Sequence, residues 1–181
     1  MDIEILGPFD YLPFQKDGAS LYSEEQAWKP GIYFWAFNLG GSFLINYIGI
    51  ASTSIAQRQS SHLSSFLTGQ YDIYNTDSLS NGELERAYSP GDGHGKFSSC
   101  LGHLDKQLND LQFFFAPIEV ESSILKRIET AFITHVRDLD EASVILDNGS
   151  VSRYRRDDED AIPVNISTPI EIKGLPSELL V

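Results

Sequence analysis

Two apolar runs, 31–37 and 43–50, flank Asn38-Leu39-Gly40-Gly41, and that composition and spacing predict a β-hairpin. Both runs are apolar at odd and even positions alike. Neither face is left for water, so the hairpin belongs inside a sheet with a layer packed on each side. Taking Leu39-Gly40-Gly41 as a three-residue turn places Phe37 opposite Phe43, Trp35 opposite Ile45 and Tyr33 opposite Tyr47. The pair Pro30-Gly31 is a turn signal just before the first strand.

The pattern then changes period. A helix is expected over 54–67, with Ser52, Thr53 or Ser54 as its N-cap. Residues 68–95, rich in Gly, Ser, Asn and Asp, read as a long loop that includes Gly91-Asp92-Gly93-His94-Gly95. Phe97, Leu101, Leu104 and Leu108 recur at helical spacing over 96–109. A short aromatic strand, 111–118, is closed by Pro117, and a long amphipathic helix covers 122–137. Residues 1–30 show no clear period, and the tail offers short strands at 150–155, 162–167 and 170–172. The order strand-strand-helix, then strand-helix, predicts an α+β fold: a small mixed or antiparallel central sheet, the hairpin plus a third strand, flanked by helices. With no repeat and no low-complexity linker, residues 1–181 are expected to form a single domain.

Charge and cysteine content narrow the setting. A lone cysteine, Cys100, excludes an internal disulfide, and Met1-Asp2-Ile3-Glu4 is acidic where a secretory leader would be basic. The apolar runs are strand-sized, so no membrane span and a cytoplasmic location are expected. The formal net charge of −13 repels polyanions. A nucleic-acid partner would therefore require locally clustered cations, or delivery by a protein partner or an oligomer. The basic cluster, Arg153-Tyr154-Arg155-Arg156, is followed at once by Asp157-Asp158-Glu159-Asp160, and a self-paired surface turn explains it as well as a phosphate grip does.

Two helices carry candidate chemistry. On a 100° projection Ile55, Ala56, Leu63, Phe66 and Leu67 form one apolar arc, with Arg58 and His62 one turn apart along its edge. A snorkelling arginine beside a half-buried histidine is the plain alternative. In the later helix Ile124, Leu125, Ile128, Phe132, Ile133 and Val136 define the buried side, and Glu129 falls within it. A carboxylate there is costly unless paired, hydrogen-bonded or bound to metal. An ion pair with Arg58 would satisfy it without any catalytic role. On composition alone Tyr33 and Tyr47 read first as strand tyrosines that pack. Cys100 has no histidine at a useful spacing and is not a candidate nucleophile.

Gly31-Ile32-Tyr33 followed by Tyr47-Ile48-Gly49 resembles the two-part signature that names the GIY-YIG nuclease superfamily. The resemblance continues through Arg58 and His62 on a helix, then Glu129 in Arg127-Ile128-Glu129-Thr130-Ala131-Phe132-Ile133. Asn148 in Asp147-Asn148-Gly149 is the candidate for the asparagine found in many members. It covers a core of about 30–148, leaving an N-terminal extension 1–29 and a strand-rich tail 149–181. Departures are a slightly long connection from Gly49 to Arg58, an enlarged 68–110 segment that reads as a specificity insertion, and an acidity unlike that of typical DNA cutters. The resemblance implies a metal-dependent endonuclease that hydrolyses phosphodiester bonds of nucleic acid, DNA being the expected substrate. It implies Tyr33 as general base or relay, Tyr47 as water-orienting or phosphate contact, and Arg58 as the phosphate ligand. It further implies His62 as proton partner of Tyr33, Glu129 as ligand of one Mg²⁺ or Mn²⁺, and Asn148 as a brace for phosphate or glutamate. The alternatives are a non-catalytic binding or regulatory module on the same scaffold, and an acidic protein that mimics nucleic acid.

Overall fold

The computed structural model describes residues 1–12, 20–81, 83–139, 145–149 and 159–181. The strand expected at 150–155 and the basic cluster at 153–156 lie outside them. The fold is α+β. In chain order its strands are β1 (Asp2–Glu4), β2 (Leu6–Asp10), β3 (Gly31–Leu39), β4 (Ser42–Ala51), β5 (Ile73–Asn75), β6 (Glu85–Tyr88), β7 (Leu111–Pro117), β8 (Pro163–Ser167), β9 (Ile172–Lys173) and β10 (Glu178–Leu180). The helices are α1 (Ile55–Leu67), α2 (His94–Ser99), α3 (Leu101–Asp110) and α4 (Ser122–Arg137).

The main sheet runs β2-β7-β3-β4-β9, antiparallel except for the last pair. As the two-sided apolar pattern predicts, β3 is central, and Ile32 to Phe37 are all buried. Successive side chains leave the sheet on opposite faces. Tyr33, Trp35 and Phe113 point toward α1. Phe34 meets Phe132 of α4 at a 5.3 Å ring separation, and Phe114 meets Phe43 at 5.0 Å on that second face. Fully burying each such ring contributes roughly 1.5–3 kcal/mol, so the three consecutive phenylalanines 113–115 tie both layers to one strand.

The hairpin register differs from expectation. Gly40 and Gly41 form a two-residue turn at φ 65° and 98°, conformations glycine adopts without a Cβ penalty, and Asn38 Oδ1 accepts from the Gly41 N–H at 2.9 Å. Leu39 consequently pairs with Ser42 and Phe37 with Leu44. A bulge at Asn46 then shifts the register by one, so that Trp35 faces Tyr47 and Tyr33 faces Gly49. The bulge keeps Tyr47 on the Tyr33 face while Phe43 and Ile45 turn toward α4.

Other differences lie where polar composition hid regular structure. The segment expected as a loop, 68–95, contains the β5-β6 hairpin, a 3₁₀ turn at Thr76–Asn81 and another at Pro90–Asp92 that leads into α2 at His94. The helix expected over 96–109 is broken at Cys100 into α2 and α3. The central sheet also has more strands than the hairpin and third strand expected. β2 from the extension and β9 from the tail form the two edges of the main sheet, while β1, β8 and β10 make a second, three-stranded sheet.

Candidate functional site

α1 crosses the Tyr33 face with its buried stripe rotated from the projected arc. Ile55, Ala56, Gln59, His62 and Phe66 are buried, while Leu67 is 59% exposed. Specific hydrogen bonds explain the rotation. Trp35 Nε1 donates to Gln59 Oε1 at 3.0 Å, and His62 Nε2 lies 2.7 Å from the Tyr33 hydroxyl. Gln59 Oε1 and His62 Nε2 have partners, which offsets the cost of burying them. These two polar side chains therefore take the interface, while Leu67 is left exposed and Leu63 stays partly buried against the core. Ser54 caps the helix, its hydroxyl accepting from the Gln57 N–H at 3.2 Å.

His62 has a second partner that the sequence reading missed. Its Nδ1 lies 2.7 Å from the Tyr71 hydroxyl, so one imidazole bridges two phenols. Nothing near Tyr71 in sequence marks it, because it follows α1 in a segment read as loop. The imidazole pKa is pushed down to about 4, first by burial and then by the Arg58 charge. His62 is thus neutral at physiological pH, with one ring nitrogen donating and the other accepting. Tyr33 is held well above the ordinary phenol value, chiefly by burial and then by Tyr47. Arg58 opposes that rise, through a hydrogen bond and its charge.

Tyr47 stands 6.2 Å from Tyr33 and 4.6 Å from Trp35 between ring centroids. Burial and then Glu129 raise its pKa, and Arg58 lowers it. Glu129 is half-buried on α4 and reaches the site around the end of β4. Burial raises its pKa, while Arg58, Lys126 and a hydrogen bond from the Ile50 backbone lower it. Five of the six candidates, Tyr33, Tyr47, Arg58, His62 and Glu129, therefore share one electrostatic neighbourhood.

Asn148 does something else. Its Oδ1 accepts from the Ile48 N–H at 2.9 Å and its Nδ2 donates to the Ile48 carbonyl at 2.7 Å. Asp147 N–H donates to the Asn46 carbonyl, and Asn46 Nδ2 to the Ile145 carbonyl, both at 2.7 Å. The segment 145–148 thus braces the free edge of β4 between Asn46 and Ile48, immediately beside Tyr47.

Both glycines of the motif have steric reasons. A Cβ on Gly31 would overlap the Ala116 carbonyl of β7, and one on Gly49 would overlap the Tyr33 ring and hydroxyl. Among the described residues no three His, Cys, Asp or Glu side chains cluster as a metal cage. Glu129 alone suits a hard cation that keeps several waters and takes its other ligands from a phosphate, as Mg²⁺ does. No described helix is long and apolar enough to cross a membrane. The chain matches no protein-family model, no curated protein and no solved structure.

Proposed function

We propose that the protein is a metal-dependent endonuclease that hydrolyses phosphodiester bonds of nucleic acid, with DNA as the first substrate to test. The observation that carries this reading is the convergence of two phenols, a guanidinium, a neutral imidazole and one carboxylate, all matching the GIY-YIG order along the chain. Arg58 binds the scissile phosphate and offsets the charge that grows there. Tyr33 takes a proton from the attacking water as it passes its own to His62 Nε2, because its high pKa disfavours a standing phenolate. This requires Nε2 to be the accepting nitrogen and Nδ1–H to donate to Tyr71. An anion bound at Arg58 also cancels part of the charge that depresses His62, making the imidazole a better base once substrate is present. Tyr47 orients the water, and Asn148 positions Tyr47 by bracing Ile48. A divalent cation at Glu129 would supply charge stabilisation for the phosphate and the leaving oxygen.

The test is incubation with plasmid, single-stranded DNA and RNA, each with Mg²⁺, Mn²⁺ or chelator. Metal-dependent cleavage that Glu129→Ala abolishes supports the reading, and cleavage by that variant at the parent rate removes the metal role. The net charge of −13 favours a second reading, a non-catalytic binding or regulatory module. Failure of folded protein to cut any substrate would select it.

A further inference from the structure

Beside the tyrosine–histidine centre lies a cleft of about 270 Å³. Trp35, Tyr47 and His62 form the wall shared with the candidate site. The enlarged segment 68–110 builds the other wall through Gln70, Tyr71, Asp72 and Gln107, and Asp147 joins it from the stretch that braces β4. Trp35, His62 and Phe66 are buried, so the aromatic surface open to a ligand belongs to Tyr47 and Tyr71.

The electrostatics of this cleft exclude a phosphate. Two carboxylates line it, no lysine or arginine does, and His62 is neutral. Both oxygens of Asp72 are engaged, by Ser89 Oγ at 2.5 Å and by Arg86 at 3.2 Å, an exposed cation outside the lining. Asp147, in contrast, accepts from the Tyr74 hydroxyl and keeps lone pairs for a ligand. A different cleft, of about 340 Å³, has the opposite character: Arg58 with Ser52, Thr53, Ser54 and Ser61 supplies a guanidinium and hydroxyls and no carboxylate. Tyr47 connects the two, lining the first and lying within electrostatic range of Arg58 in the second. Backbone phosphate suits the second cleft. A flat, uncharged, hydrogen-bonding ring suits the first, which falls just short of the roughly 300–1,000 Å³ of drug-sized pockets. Aspartate side chains accept hydrogen bonds from the amino group of cytosine.

We infer that the first cleft takes up one unstacked nucleobase bearing an exocyclic amino group, next to the phosphate held at Arg58. The substrate is then cut beside a nucleotide splayed out of its strand, and the 68–110 segment reads it together with Asp147. The inference rests on the nuclease reading for its biological sense but not for its test.

Deoxycytidine and thymidine, nucleosides without phosphate, are titrated into the protein while NMR follows the Trp35 indole and the Gln70 and Gln107 side-chain amides. Deoxycytidine is expected to shift these signals at millimolar concentration, with thymidine several-fold weaker and Asp147→Asn narrowing the difference. Signals that stay fixed up to the solubility limit, or that move equally for both nucleosides, overturn the inference. A second arm uses single-stranded DNA with one abasic residue stepped along a cut site. A loss of about tenfold or more at one position is expected, as one lost base stack predicts, and uniform cutting overturns the pocket while leaving the nuclease intact. Nucleoside shifts without cleavage of any substrate would support the pocket and retire the nuclease reading.

Discussion

Gly49 lies directly across the β3–β4 ladder from Tyr33, and the space its missing side chain leaves is filled by the Tyr33 ring. A Cβ there would stand 2.5 Å from Tyr33 Cζ. The last glycine of the second tripeptide thus sets the position of the tyrosine in the first, and so the 2.7 Å approach of its hydroxyl to His62.

Gly49→Ala is therefore expected to destabilise the fold by about 1–3 kcal/mol, the usual cost of overpacking, and to slow cleavage by moving Tyr33. Gly31→Ala should be worse, because its obstacle is the Ala116 carbonyl, main chain that cannot rotate away. Gly102→Ala is the control: nothing stands within 4 Å of that Cβ, and a helical alanine gains roughly 0.5–1 kcal/mol over glycine. Thermal melts of the three variants check the order. A stable Gly31→Ala would contradict it.

The guanidinium is predicted to act both on the His62 imidazole and on the bound phosphate. Arg58→Ala should raise the His62 pKa from about 4, since the Arg58 charge is its second cause, though burial keeps it below an exposed histidine. Arg58→Lys keeps the charge and loses the planar fork, so it should leave the His62 titration near its parent value. Both variants should cut slowly, by about 10²-fold or more for alanine. NMR titration of the His62 ring separates the effects, and an unchanged pKa in Arg58→Ala would refute the proximity.

Some of this was legible in sequence and some was not, for physical reasons. The central hairpin shows because strands buried on both faces cannot hide their composition, and Glu129 shows because an acid amid Leu125, Ile128 and Ile133 breaks a pattern. The register is not legible because Leu39 can end a strand or sit in a turn, and a bulge at Asn46 leaves no mark on periodicity. The α1 interface is not legible because hydropathy ranks Leu67 above Gln59 and His62, and only the partners Trp35 and Tyr33 reverse that order. Tyr71 was invisible for the same reason: its role lies in a hydrogen bond across nine positions, not in its neighbours.

Stability should fall on mild acidification. An unfolded histidine titrates near pH 6.5, whereas folded His62 titrates near 4. Above pH 6.5 both states are neutral and His62 imposes no penalty. Between 6.5 and 4 the unfolded chain takes the proton first, so stability drops as pH falls, by on the order of 3 kcal/mol once pH 4 is passed. Glu129 has the opposite sign: its raised pKa makes the folded state take a proton first, which stabilises the fold as pH falls. Urea melts at pH 7.5, 6 and 4.5 for the parent and His62→Gln isolate the histidine, whose slope should vanish in the variant.

Tyr71→Phe tests whether the second phenol sets the state of the imidazole. The ring, and with it the wall of the cleft, is retained, and only the hydroxyl 2.7 Å from Nδ1 is lost. His62 then faces two outcomes. It can leave a buried Nδ1–H without a partner, at about 1–3 kcal/mol, or move the proton to Nε2 and donate to Tyr33. The second is cheaper, and it reverses the hydrogen bond on which the proposed relay depends. Turnover should therefore fall with little change in KM, the sign of an interaction used only in the reacting complex. Imidazole ¹⁵N shifts read the tautomer without reference to activity. A parent-like tautomer together with parent-like turnover would show that Tyr71 packs beside the site and does not act on it.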